Sequence, residues 1–126
     1  MKNLLSILLF LMSFSVLGGC FITPEDYKPP TISEKEWVSV SEENKSFSFV
    51  AKIPVREDLS SLVMVTYSAD KENQSFFVPL SLYEQDEMHV SFFTLPESLA
   101  QTSSLVAQFG DCGSLIEWQL KDYLDK

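Results

Sequence analysis

Two cysteines, one histidine, two tryptophans and a group of carboxylates are the residues of this chain that could do chemistry. Cys20 follows an uncharged, mostly apolar run from Leu4 to Leu17 and the pair Gly18-Gly19. The thiolate is a far better nucleophile than a hydroxyl, and two glycines leave the backbone before it open to a peptidase. Cys112 sits in Gly110-Asp111-Cys112-Gly113, whose glycines suggest a tight turn. His89 would need a serine and an acid beside it to act as a base, and no Gly-x-Ser-x-Gly elbow is present. A solvated or ladder-facing histidine is the expected reading. Transition metals want several His or Cys ligands in a set, and His89 and Cys112 are too few and too far apart. Glu84, Asp86 and Glu87 offer the oxygens that calcium prefers, without the glycine-spaced pattern of a dedicated loop. Trp37 and Trp118 could stack on a sugar or contact a partner, although a β core normally claims such rings. No catalytic role, metal or cofactor is expected.

The first nineteen residues explain Cys20. Lys2 supplies a positive start, and the apolar run of fourteen residues suits a signal peptide but is short of the roughly 20 that span a bilayer. Leu17-Gly18-Gly19-Cys20 resembles the bacterial lipobox: a branched apolar residue, two small residues, then cysteine. The resemblance implies cleavage between Gly19 and Cys20 and a diacylglyceryl group, of the palmitate type, on the Cys20 sulfur. Each buried methylene contributes about 0.8 kcal/mol. With the two or three chains usual for bacterial lipoproteins, such an anchor is effectively permanent. Phe21 in place of aspartate implies, by the enterobacterial sorting pattern, the outer membrane and its periplasmic face.

Cleavage before Cys20 removes Lys2 and no acid, leaving 107 residues with 8 basic and 18 acidic side chains, a net charge of −10. That suffices for one domain. It also repels phosphate-rich surfaces, so nucleic acid is not an expected partner. With Cys20 lipidated, Cys112 has no intramolecular partner. It is expected to be inert or partly buried, with an intermolecular disulfide or a soft ligand contact as alternatives. Without lipid on Cys20, a Cys20–Cys112 bridge becomes available.

These residues must be positioned by strands. Residues 20–35 form an expected flexible tether, since Phe21 to Ser33 holds three prolines and no periodicity. At about 3 Å per residue it would hold the domain some 30 to 40 Å from the lipid. From Glu36 onward, short apolar runs recur every ten to fifteen residues: 37–40, 45–55, 62–67, 74–83, 87–95, 104–109 and 115–120. In 45–55, Phe47, Phe49, Ala51, Ile53 and Val55 alternate with polar residues, the period of a half-buried strand. In 87–95, Met88, Val90 and Phe92 share one face, with His89 opposite. Ile116, Trp118 and Leu120 share another. Pro79 marks an edge strand or a break, and 96–102 a crossover with room for one helical turn. Glu84-Gln85-Asp86 reads as a turn.

The expected fold over 36–126 is an all-β, immunoglobulin-like sandwich of about seven strands, with a small barrel as the alternative. Signal, tether and one β domain are similar in plan to lipidated secretion pilotins with β-sandwich domains. The expected role is a non-catalytic, lipid-anchored binding or assembly module for an envelope protein. The alternative is a lipoprotein that binds a small ligand or carbohydrate.

Overall fold

The strand with the plainest alternation, β3 (Ser46–Pro54), buries Phe47, Phe49, Ala51 and Ile53 and turns Lys52 to solvent. The rest of the core assembles around that apolar row. The computed structural model describes residues 24–55, 58–68, 74–110 and 113–124. Gly19, Cys20, Cys112 and residues 69–73 lie outside them. The other elements are β1 (Tyr27–Lys28), α1 (Ile32–Lys35), β2 (Val38–Glu43), β4 (Leu59–Ser68), β5 (Gln74–Pro79), β6 (Tyr83–Gln85), β7 (Met88–Pro96), α2 (Glu97–Ala100), β8 (Ser103–Phe109) and β9 (Leu115–Gln119). Short 3-10 turns precede β1 and follow β9.

Two sheets pack face to face, one in the order β1-β9-β8-β4-β5 and the other β2-β3-β7-β6. Each has free edges, so the sheets do not close into a barrel. Lettered A to G in chain order from β2, with β5 as an extra strand beside C, they are the ABED and GFC sheets of the immunoglobulin sandwich. The seven expected strands are all present. The described residues hold nine because 74–83 breaks at Leu80–Leu82 and because β1 was not foreseen. The crossover at 96–102 does hold one helical turn, α2.

One core cluster joins the sheets, with Phe49, Ile53, Leu105, Ala107, Trp118 and Leu120 at its centre. A smaller cluster of Val65, Val106 and Leu115 lies on the outer face of the five-stranded sheet, with Tyr27 and Val63 packed on it. That sheet is therefore apolar on both faces.

Three expectations need correcting, the last of them at the β6–β7 turn. The first is the sense of β7. Its alternation is real, but Ser91, 1% exposed, and Leu95 face inward while Phe92 is 66% exposed. Stacking of Phe49 on Phe93, with centroids 5.3 Å apart, fixes the inner face. The second is the tether. Residues 24–35 are folded onto the sandwich, with Tyr27 and Lys28 paired in parallel with Leu115 and Ile116. The Glu34 carboxylate accepts the Thr31 N–H at 2.7 Å, which favours the first turn of α1. Trp118 then donates its indole N–H to the Glu34 carbonyl at 3.0 Å, and Tyr123 its hydroxyl to the Lys35 carbonyl at 3.1 Å.

Turn chemistry sets the register of the second sheet. Asn44-Lys45 and Asp86-Glu87 both have positive φ at both residues, the geometry of a two-residue hairpin turn whose twist matches the strands. The β6–β7 turn thus lies at Asp86-Glu87, later than the Glu84-Gln85-Asp86 expected, and Glu84 and Gln85 belong to β6. In the β8–β9 hairpin, Phe109 N–H bonds the Ser114 carbonyl at 3.0 Å. A Cβ on Gly113 would collide with the Phe109 carbonyl, so only glycine fits there. Among the described residues, no helix is long and apolar enough to cross a membrane.

Candidate functional site

The residues singled out for chemistry do not come together. His89 is half-buried on β7, with Ile53 of β3 and Glu84 of β6 as its cross-strand neighbours. Glu84, Asp86 and Glu87 border an open concavity of about 850 Å³ with Pro54, Val55 and Met88. Among the described residues, no three His, Cys, Asp or Glu side chains are grouped to hold a metal ion.

The tryptophans belong to the core. Trp118 has 0% exposure, so it presents no surface to a sugar or a partner. Trp37 is half-buried, its ring 6.3 Å from that of Trp118 and tilted by 45°. The pair lies under the folded N-terminal segment. There Pro29, Pro30 and Lys35 face Gln119, Asp122 and Tyr123 across a cleft of about 360 Å³. Trp118 backs this cleft without reaching its surface. Burial of Tyr123, helped by the charge of Asp122, pushes its phenol up to about 12, so the hydroxyl remains a donor across the ordinary pH range.

What stands out was not singled out from the sequence. Of the eight large apolar side chains exposed among the described residues, four lie on the β4–β5 pair and two on the β6–β7 pair. Phe76, Phe77 and Val78 lie on β5, and Tyr67 of β4 is next to Ser75 of β5. Tyr83 on β6 stacks on Phe92 of β7, centroids 5.9 Å apart and planes within 16°. Strands β5 and β6 are edges of their respective sheets.

Local sequence explains the arrangement. Gln74 to Tyr83 carries no charge in a chain that is 21% charged. Alternation along β5 puts Phe76 and Val78 on one face and Phe77 on the other, and all three are exposed, with no strand of the described residues beyond them. On the outer face, Phe77 completes a groove of about 120 Å³ with Tyr27, Val63, Val65, Val106 and Leu115. Natural edge strands are usually short, charged or covered. Strand β5 has Pro79 at its end, yet six residues with three bare apolar side chains remain. The signal was available in the sequence as the uncharged run itself, which strand counting alone passes over.

Chemically, such an edge offers backbone N–H and C=O groups to an incoming strand and apolar surface to alternate side chains. Near Tyr67, burial raises the phenol pKa, with a smaller contribution from Glu117 and then Tyr27. Comparisons with protein-family models, with curated proteins and with solved structures give no match.

Proposed function

We propose that the protein is a lipid-anchored, non-catalytic binding module of the bacterial envelope, held through Cys20 at the periplasmic face of the outer membrane. Its β5 edge takes an extended segment of an envelope protein as an additional strand. The observation that carries this reading is the six-residue free edge with Phe76, Phe77 and Val78 exposed inside the uncharged run from Gln74 to Tyr83. Strand addition uses the backbone for affinity and the alternating side chains for specificity. The plan of signal, anchor and small β domain, similar to that of β-sandwich pilotins, supports an assembly role by analogy with the fold.

The test is photocrosslinking in intact cells with p-benzoylphenylalanine at position 77 and, as control, at the exposed Lys121 on the opposite side. One discrete protein adduct at 77, absent at 121 and lost on Phe76→Lys, is the expected result. A folded, palmitate-labelled protein that gives the same adducts at both positions would remove the strand-addition reading.

A further inference from the structure

The folded position of residues 24–28 limits where the sandwich can sit relative to its anchor. Strand β1 pairs in parallel with the first residues of β9, so Pro24–Asp26 lie at the end where β9 begins. Strand β8 finishes at that end, and β4 starts there: Leu59 pairs with Phe109, and Gly110 N–H bonds the Asp58 carbonyl at 2.6 Å. The second sheet brings its Asp86-Glu87 turn to the same end, tied by Val55 N–H to the Glu87 carbonyl at 3.1 Å. The opposite end carries Asn44-Lys45, Gln101-Thr102 and the turn after β9.

Four residue steps separate Cys20 from Pro24. Even fully extended they reach about 14 Å, which is less than the length of β8 at roughly 3.3 Å per residue. We propose that the anchor holds the sandwich end-on, with the Pro24, Asp58 and Ser114 end against the lipid headgroups and the Gln101 end facing away. This rests on the anchoring reading above and deepens it. The near end is not itself adhesive, since its exposed side chains include Glu25, Asp58, Glu84, Asp86 and Glu87. Covalent length, not attraction, keeps it there. Strand β5 then runs along the bilayer normal, so an added strand points toward or away from the membrane. That direction suits a segment that itself leaves the bilayer.

The experiment uses the full-length lipidated protein in vesicles of phosphatidylethanolamine and phosphatidylglycerol doped with nitroxide-headgroup lipid. In a Cys112→Ser background, a fluorophore is attached at Ser114→Cys or at Gln101→Cys, both exposed positions. Quenching at least threefold stronger at 114 than at 101 is expected, with Glu25→Cys matching 114. Inserting twenty Gly/Ser residues after Thr23 adds a reach of about 25 Å and should erase the difference. Equal quenching at both positions with the native spacing overturns the orientation. Palmitate labelling of the same samples separates the two failures. Labelled protein with equal quenching sinks only the orientation, whereas unlabelled protein sinks the anchor and the orientation together.

Discussion

The five-stranded sheet has two edges that the same chain treats in opposite ways. At the β9 side, the sheet edge is covered by β1, and beyond it the N-terminal segment is pinned by Trp118 to Glu34 and by Tyr123 to Lys35. At the β5 side, nothing of the described chain lies beyond Phe76, Phe77 and Val78. Covering an edge with the chain's own segment is one way natural sheets avoid unwanted pairing. The strand-addition surface proposed above lies on the second, bare and uncharged edge. The difference lies in what each edge is built from. The closed side uses long-range hydrogen bonds and buried rings, whereas the open side uses exposed rings and free backbone groups.

The contrast can be broken first where it is strongest. Trp118→Ala removes a fully buried indole and the donor to Glu34, at a cost of about 3–5 kcal/mol. Thermal melting should show a Tm lower by at least about 12 °C. A drop of only a few degrees would mean that the closed side is not held by this ring. Tyr27→Ala strips the half-buried cover from Val65, Val106 and Leu115, at about 1–2 kcal/mol. It should also open 24–30 to protease while leaving the sandwich folded. If limited proteolysis instead cuts that segment no faster than in the parent, β1 is not what closes the edge.

How far these contrasts were legible depends on range. The alternation of Phe47, Phe49, Ala51 and Ile53 is a property of neighbouring residues, and β3 came out as expected. The seven runs sufficed for a sandwich, because period and turn spacing are local. On β7 the period was right but its sense was not. Met88, Val90 and Phe92 look like a core face, and only the pairing with β3 shows that Ser91 and Leu95 take that place. The closed edge was hidden for a stronger reason. Its bonds join Glu34 to Trp118 and Lys35 to Tyr123 across 84 and 88 residues, and a proline-rich stretch shows no period that would announce them. Trp118 was correctly weighed toward the core. The open edge was visible as an uncharged run but carries no motif.

Two smaller effects sharpen the comparison. Tyr123 has a native pKa raised to about 12 against an ordinary value of 10.0. The folded state therefore holds its proton longer than the unfolded state, and this contribution is complete below pH 10 and lost as pH rises toward 12. Tyr67 adds to the decline in the same direction. Melts from pH 9 to 12 should show a steeper fall for the parent than for Tyr123→Phe; parallel curves would place the titration elsewhere. At the open edge, Phe77→Lys should leave stability within about 0.5 kcal/mol, since the ring is 63% exposed. The adduct formed in cells from p-benzoylphenylalanine placed at position 76 should vanish all the same. A large loss of stability would show that Phe77 belongs to the core and that the two edges are not opposites.

The bonds from Trp118 and Tyr123 to α1 also impose an order in time. A chain is made from its N-terminus, so Glu34 and Lys35 must wait for residues 118–123 before their carbonyls are taken up. Until then residues 24–35 have no fixed place on a sheet, which on the anchoring proposed above leaves time for Cys20 to be modified. Once β9 and its following turn arrive, the free chain before the domain shortens to the residues ahead of Pro24, and the proposed anchor would draw the domain in.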